Sequence, residues 1–337
     1  MRRRLLLNSS GPEPVDPSQA APMEVAFYNS DIDDIVIRKQ EEWLDGETPI
    51  GIVVVPGYHD RYGDGSCGVM SLVCMDYNHP TSGMPVTGAS QTDNVYMYWG
   101  DTSSISNNIF AGTIALNGTN NYIPYQKSNT STDCSADSGA LVWPYAGTLT
   151  KPTSGASTEY SNDGGYVTAT TGKAACDFNG IRNTAACYIK TRTATQWTAS
   201  TVENYWANNN TPAAACAGRF KTVGTKSFLD AYSDIGYNNR NYGTPTSTKD
   251  NKGFWYLPAE GELCCIPRYM HEINKTILAL NQKYGNVGVQ LNLSQVYMSS
   301  SEYSSSKAWI ISMYNGYMEN FPKNNGYNTY VRAFMRL

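Results

Sequence analysis

The sequence lacks the features that would place it in several common classes. No apolar run approaches the ~20 residues that a membrane-spanning helix needs. The basic residues 2–4 are followed by only three leucines, which is too short an apolar segment for a secretory signal. The net charge is −4 and no other basic run is present, so contacts to nucleic-acid phosphates are disfavoured. We therefore expect a protein that is made in the cytoplasm, stays soluble, and neither enters a membrane nor binds nucleic acid.

Metal and catalytic signatures are also missing. The eight cysteines form no CxxC pair, which argues against structural zinc. Without a secretion signal, buried thiols are favoured over disulfides. One Gly-rich turn brings His59, Asp60, Asp64 and Cys67 within nine residues. A metal or nucleophile site can be imagined there, but the turn supplies neither convergent ligands nor an evident base. We expect no catalytic residue, metal site or cofactor.

What the chain has in abundance is Ser, Asn and Tyr near its C-terminus. Of the 37 residues from Ser294 to Tyr330, 19 are Ser, Asn or Tyr, and only four are charged. Tyr supplies rigid amphipathic contact area, while Ser and Asn supply adaptable hydrogen bonds. A packed core would leave many of these polar groups without partners, and a disordered tail would not carry so many aromatic residues. The composition predicts an exposed surface that contacts a partner.

Three regions follow from the patterning. Residues 1–23 are basic and then rich in Pro and small polar residues, which predicts a flexible arm that either docks on a partner or frays. Residues 24–165 combine strand signals, such as the β-branched run at 50–55 and its plausible partner at 69–75, with long Gly/Ser/Thr/Asn stretches. They form either a separate β-rich domain or insertions. Residues 166–337 form the remaining region.

Helix signals are confined to the third region. One helix is expected over Thr198–Asn208. A second helical region follows Pro258, where apolar residues recur at spacings of three and four, with a break at Pro267 and a stop at Gly285. The apolar stripe consists of Leu263, Ile266, Met270, Ile273, Ile277 and Leu280. Acidic Glu260 and Glu262 in its first turn suit the helix macrodipole.

The C-terminal segment reads as β-structure. Residues 308–314 and 317–320 flank Asn315-Gly316, a strong signal for a tight hairpin in which both central residues have positive φ. Residues 330–337 alternate between two sets of side chains, which predicts one half-buried strand.

The order of motifs here resembles the variable proteins of diversity-generating retroelements, most closely the type carried by phages and prophages of gut bacteria. The motifs are residues 255–263 (WYLPAEGEL), 297–303 (YMSSSEY), 308–309 (AW), 315–316 (NG), 323–325 (KNN) and 331–334 (VRAF), with weaker likeness at 52–59 and 63–72. Met298 departs from the family, whose members usually carry Trp after Tyr; Met can fill the same space.

The resemblance implies an α+β, C-type-lectin-like fold with a small antiparallel sheet, two helices and long loops, preceded by an irregular β-rich region. The ligand-binding domain would be residues 166–337, with a variable region at about 297–330. In such families a reverse transcriptase recopies the end of the gene with errors at adenines. The implied function is non-enzymatic binding of changeable ligands by a phage tail or receptor-binding protein in the virion. The partners would be a host-surface protein or glycan, and other tail proteins through the N-terminal arm; a homotrimer is possible. The calcium-binding Glu-Pro-Asn and Trp-Asn-Asp motifs of sugar-binding lectins are absent.

The resemblance also divides the residues into two sets. The frame would comprise Ser299, Ser300, Ser301, Glu302, Ala308, Gly316, Val331, Arg332, Ala333 and Phe334. The ligand contacts would be Tyr303, Ser305, Lys307, Trp309, Ser312, Tyr314, Tyr317, Asn320, Asn324, Asn325, Tyr327 and Asn328. From the residues alone, Trp309 is either a ligand anchor or a core side chain, and Tyr330 is either a contact or part of the buried strand.

Two other functions stay open. Formylglycine-generating oxidases share this fold class, but their chemistry needs a reactive Cys pair, and Cys264-Cys265 are expected to be buried on a helix. A purely structural virion component is the other alternative.

Overall fold

The computed structural model describes residues 11–62, 65–75, 99, 159–160, 166–167, 178, 180–181, 184, 212–228, 252–302, 307–323 and 329–337. Within these ranges the fold is α+β and mostly β. The strands are β1 (Val25–Asn29), β2 (Asp34–Arg38), β3 (Thr48–Val55), β4 (Gly68–Ser71), β5 (Glu159–Tyr160), β6 (Tyr166–Val167), β7 (Lys226–Ser227), β8 (Phe254–Tyr256), β9 (Val296–Glu302), β10 (Lys307–Ser312), β11 (Met318–Pro322), β12 (Thr329–Tyr330) and β13 (Phe334–Arg336). The helices are α1 (Pro212–Arg219), α2 (Glu260–Leu263) and α3 (Met270–Tyr284).

A seven-stranded sheet forms the centre of the described fold, in the order β2-β1-β3-β4-β13-β8-β7. The expected pairing of the β-branched run with the segment near residue 70 is confirmed, since β3 and β4 are antiparallel neighbours. Strands from both expected regions, 24–165 and 166–337, belong to this one sheet. The resemblance implies only a small antiparallel sheet, so this larger sheet is not predicted by it.

Both faces of the seven-stranded sheet are covered. Phe27, Ile52 and Phe334 lie in one apolar cluster together with the buried face of α3. Ala26, Val53 and Met335 lie in a second cluster together with α1. Every residue of β3 after Thr48 is buried. This two-sided burial explains why β3 reads as a continuous apolar run and not as an alternating one.

The helical region after Pro258 agrees with its prediction. Helix α2 ends at Leu263, a 3-10 turn spans Pro267–Tyr269, and α3 then runs from Met270 to Tyr284. Pro267 lacks the N–H that would continue the α-helical bonding, and Gly285 ends α3 with φ of 81°. All members of the apolar stripe except Met270 are fully buried. Helix α1 was not predicted, and the expected helix at Thr198–Asn208 lies outside the described residues.

A second, four-stranded sheet has the order β11-β10-β9-β12. It is antiparallel except for the β12–β9 pair, which is parallel. The single half-buried strand expected at residues 330–337 is wrong in two respects. The chain leaves this sheet after Tyr330, passes through residues 331–333, and joins the seven-stranded sheet as β13. Residues 330–336 are also buried on both faces, because the alternating side chains face the two apolar clusters.

Residues 11–23 do not form a flexible arm. Val15 bridges to Ile37 on β2, the Met23 N–H donates to the Val53 carbonyl at 2.9 Å, and Ala20 is fully buried. The 3-10 turn Pro17–Gln19 begins with Asp16, whose carboxylate accepts from the Ser18 N–H. The prolines that suggested a linker therefore shape a packed turn. Residues 1–10 lie outside the described ranges.

Candidate functional site

The hairpin of β10 and β11 carries two exposed tyrosines at its tip. Its strands pair from Lys307–Pro322 to Ile311–Met318. The Ser312 N–H donates to the Tyr317 carbonyl at 2.9 Å, and the Gly316 N–H donates to the Ser312 carbonyl at 2.8 Å. The expected hairpin is confirmed, but its turn has four residues between Ser312 and Tyr317, not two. Accordingly, only Gly316 has positive φ, at 73°.

The hairpin tip is held by backbone bonds and by a buried neighbour. Met313 is fully buried, and its N–H donates to the Gln295 carbonyl at 2.9 Å. The Asn315 Oδ1 accepts from the Tyr317 N–H at 3.0 Å. Tyr314 is 79% exposed and Tyr317 44% exposed. The tip conformation is therefore set by contacts that use no tyrosine side chain, and both rings face solvent.

The predicted frame at Ser299–Ser301 is buried and bonded to the segment before α2. The register of β9 against β10 shifts between Ala308 and Ile310, which leaves a bulge in β9. The Ser300 N–H donates to the Pro258 carbonyl at 2.7 Å, and the Ser301 Oγ accepts from the Glu260 N–H at 3.0 Å. The first bond satisfies a β9 N–H that the bulge removes from the strand ladder, and the second satisfies an N–H at the start of α2.

A third serine closes the bulge, and a distant Trp covers it. The Ser299 Oγ donates to the Trp309 carbonyl at 2.8 Å across the two strands. The Trp99 Nε1–H donates to the Ser299 carbonyl at 2.8 Å. Lys323, at the end of the hairpin, places its ammonium 4.7 Å from the centre of the Trp99 ring. The hydroxyls of Ser299 and Ser301 thus serve as internal hydrogen-bonding groups.

Arg332 fixes the crossover between the two sheets. Its side chain is fully buried. The guanidinium donates to the carbonyls of Ser71 and Gln290, each at 3.1 Å, and to that of Val289. It therefore ties the crossover both to β4 and to the loop after α3. This agrees with the frame role that the resemblance implies for it.

Two tyrosines of the Ser/Asn/Tyr-rich segment lie in the core. Tyr297 and Tyr330 are 0% and 2% exposed, and their rings stack with centroids 5.6 Å apart. Both hydroxyls contact Asn292: Tyr297 Oη accepts from its N–H at 3.0 Å, and Tyr330 Oη from its Nδ2 at 3.3 Å. Burial raises the pKa of Tyr297. For Tyr330, the structure favours the buried-strand alternative.

The other expected contact residues fall into three groups. Trp309 and Ser312 are 3% and 5% exposed, so the burial of Trp309 favours the core alternative. Asn320 is half-buried on β11, and Lys307 begins β10. The remaining ones lie outside the described residues: Tyr303, Ser305, Asn324, Asn325, Tyr327 and Asn328.

The hairpin separates the expected contact residues along its length. Lys307 pairs with Pro322 at one end of the hairpin. The tip with Tyr314 and Tyr317 is at the other end of β10, about 17 Å away for a strand of this length. The tip is thus a distinct part of the expected surface.

The described cysteines and the described part of the His59–Cys67 turn bear on the nucleophile or metal site imagined from the sequence. Cys67 is fully buried, and burial raises the pKa of its thiol to about 12, so it is a poor nucleophile. The Asp60 Oδ1 accepts from the Gly65 N–H at 2.7 Å; Asp64 lies outside the described residues. The burial expected of the cysteines is confirmed for Cys67, Cys74, Cys216, Cys264 and Cys265. In the ranges given above, no three His, Cys, Asp or Glu side chains form a metal-binding group.

Two buried charged groups were missed from the sequence. Arg38 and Glu47 form a bidentate pair with both N–O distances 2.8 Å, and the Arg38 Nη1 also donates to the Pro12 carbonyl. Glu262, expected only to lie in the first helical turn, is fully buried and accepts from the hydroxyls of Tyr62 and Tyr256. No local pattern marks either group, because each partner is distant in sequence or on another element.

Comparisons with known proteins do not assign this chain to a family. No protein-family model and no curated protein matches the chain. Among solved structures, it is similar to a fimbrial protein from Bacteroides ovatus ATCC 8483, with 15% identity and a TM-score of 0.38 over 94% of this chain and 49% of that one. The chain thus spans about half the length of that protein, and a likeness at this level supports no assignment of function. Over the described residues, no helix combines the length and apolarity needed to cross a membrane.

Proposed function

We propose that this chain is a non-enzymatic ligand-binding protein whose C-terminal segment is diversified by a retroelement, on a C-type-lectin-like fold. The observation that carries the binding role is the hairpin tip, where Tyr314 and Tyr317 face solvent on a backbone fixed by other residues. A surface can tolerate changing side chains only if its backbone does not depend on them. The proposal that a retroelement diversifies this segment rests on the motif resemblance.

The division between frame and contacts gives further support. Frame residues at 299–301 and 331–334 are buried, and Ser299, Ser301 and Arg332 make specific hydrogen bonds. Replacing them would leave buried donors or acceptors unmet, at about 1–3 kcal/mol each. Replacing Tyr314 or Tyr317 removes no described bond. Trp309 moves from the contact set to the frame in this proposal.

The proposed setting is a phage tail that binds a host-surface protein or glycan. Modest affinity at one tip would be raised by several copies on the particle, because linked sites bind with high effective concentration. A homotrimer would provide such copies. Tail attachment through residues 1–10 is part of the proposal, since residues 11–23 are packed against β2 and β3.

Binding of labelled protein to a panel of gut bacterial strains tests the proposal. We expect wild type to bind a subset of strains, and the double substitution Tyr314→Ser, Tyr317→Ser to lose at least tenfold in affinity or to change the strains bound. Tyr58→Ser is a matched control, because Tyr58 is 48% exposed, as the tip tyrosines are, but lies in the turn after β3. Unchanged binding by the tip variant would refute the contact role and favour a structural component.

The oxidase alternative has its own test. A Cys-containing sulfatase peptide incubated with the protein and copper should remain unmodified. Formylglycine in the peptide would overturn the non-enzymatic assignment.

A further inference from the structure

A buried carboxylate lies directly beneath the frame of the proposed surface. The Glu262 Oε1 accepts from the hydroxyls of Tyr62 at 2.7 Å and Tyr256 at 2.6 Å. Its Oε2 accepts from the Ala259 N–H at 2.6 Å, which satisfies an orphan donor at the start of α2. Gly180 closes one side, since a Cβ there would stand 2.4 Å from Oε2. The side chain is 0% exposed.

The groups around Glu262 do not offset the cost of burying its charge. Tyr62 faces it from the loop before β4, Tyr256 from β8, and the Arg336 guanidinium from β13, stacked 4.1 Å over the Tyr62 ring. Glu260, in the same helical turn, is also buried. Desolvation outweighs the Arg336 charge and the three donors, and it raises the pKa of Glu262 to about 7.

Glu262 is joined to the frame of the proposed surface through three consecutive residues. Its Oε2 holds the Ala259 N–H. The next N–H, of Glu260, bonds the Ser301 Oγ, and the preceding carbonyl, of Pro258, bonds the Ser300 N–H. Consecutive backbone groups of residues 258–260 therefore hold both the carboxylate and the β9 bulge.

We propose that Glu262 is a proton-sensitive joint beneath the β9 bulge: loss of its proton loosens the start of α2 and with it the bonds to Ser300 and Ser301. A buried charge gains solvation when the turn opens, whereas the neutral acid gains much less. The protonated form therefore stabilises the closed turn. Because the pKa is raised from 4.5 to about 7, this stabilisation is present in acid and is lost as pH rises between those values.

The size of the effect follows from the same interval. The equilibrium constant for opening of the turn rises by up to tenfold for each pH unit between 4.5 and about 7, and it stays constant at higher pH. Between pH 5 and pH 8 we expect an increase of about 100-fold. The pH effect itself does not depend on the proposed function. Only its consequence does, namely that the frame beneath the binding surface is more rigid in mild acid.

Amide hydrogen exchange of the full chain tests the joint without any ligand. After correction for intrinsic rates, we expect the exchange of the Ser300 and Glu260 amides to increase about 100-fold between pH 5 and pH 8. The Val53 amide, which donates to the Glu24 carbonyl in the seven-stranded sheet, should show no such increase. Glu262→Gln should abolish the rise. Tyr62→Phe removes a donor that favours the charged form, so it should shift the rise to higher pH.

Two results would overturn the joint. One is wild-type opening at Ser300 that changes less than threefold between pH 5 and 8. The other is a rise that persists in Glu262→Gln or is equal at Val53. If Glu262→Gln does not fold, the direction of the Tyr62→Phe shift decides. A negative result for Glu262 does not change the outcome of the strain-binding test of the hairpin tip. The proposal for Glu262 and the proposed binding function can therefore fail separately.

Discussion

Replacing Arg332 by Met should cause a large loss of stability. Met keeps much of the apolar stem but removes the guanidinium that serves the carbonyls of Ser71, Val289 and Gln290. Each dry carbonyl left without a donor costs about 1–3 kcal/mol. Removing the buried guanidinium charge also removes its desolvation cost, which offsets part of this loss of stability. We expect a net loss of about 3 kcal/mol in the free energy of unfolding, a large part of the 5–15 kcal/mol typical of a folded domain.

Urea unfolding followed by tryptophan fluorescence measures this loss. Arg268→Met is the matched control, since Arg268 is exposed on the turn before α3 and stacks on the Tyr269 ring. That control should change stability by no more than about 0.5 kcal/mol. An Arg332→Met loss below about 1 kcal/mol, or an equal loss in the control, would show that the crossover does not depend on the guanidinium.

Three further predictions concern other parts of the molecule. Glu47→Gln should cost about 3–5 kcal/mol in chemical unfolding, because it leaves the buried Arg38 charge without its carboxylate. Gly316→Ala should cost about 1–2 kcal/mol in thermal unfolding, because Ala is strained at φ of 73°. The Cys67 thiol should resist a disulfide reagent at pH 8 in the native protein and react on unfolding, because its pKa is raised to about 12.

Each of these has a contradicting outcome. A loss below 1 kcal/mol for Glu47→Gln would mean that water replaces the carboxylate. A Gly316→Ala variant as stable as wild type would mean that the turn adopts another geometry. Rapid native modification of Cys67 would show that the loop before β4 opens readily.

Local patterns predicted those elements whose determinants are local. The apolar spacing of three and four predicted α3, Pro267 predicted its break, and Gly285 its end, because each acts on its own helical turn. Asn315-Gly316 predicted the hairpin, although the register at Ser312 and Tyr317 requires two more residues in the turn. Turn length depends on strand pairing, which a dipeptide does not determine.

The failures arose where distant segments decide the outcome. Residues 331–333 alternate as a strand does, yet Arg332 bonds carbonyls of β4 and of the loop after α3, so the chain changes sheets there. Trp309 stands among polar neighbours in sequence but is buried. The bonds of Ser300 and Ser301 to Pro258 and Glu260 could not be predicted, because these partners are about forty residues away.

The DNA downstream of the gene tests the central claim most directly. We predict a near-copy of the final coding segment, followed by a reverse-transcriptase gene, with differences at adenines concentrated in the codons for exposed residues such as Tyr314 and Tyr317. The codons for Ser299–Ser301 and Val331–Phe334 should be identical in the two copies. Absence of such a copy, or differences concentrated in those frame codons, would contradict a diversified surface on a fixed frame.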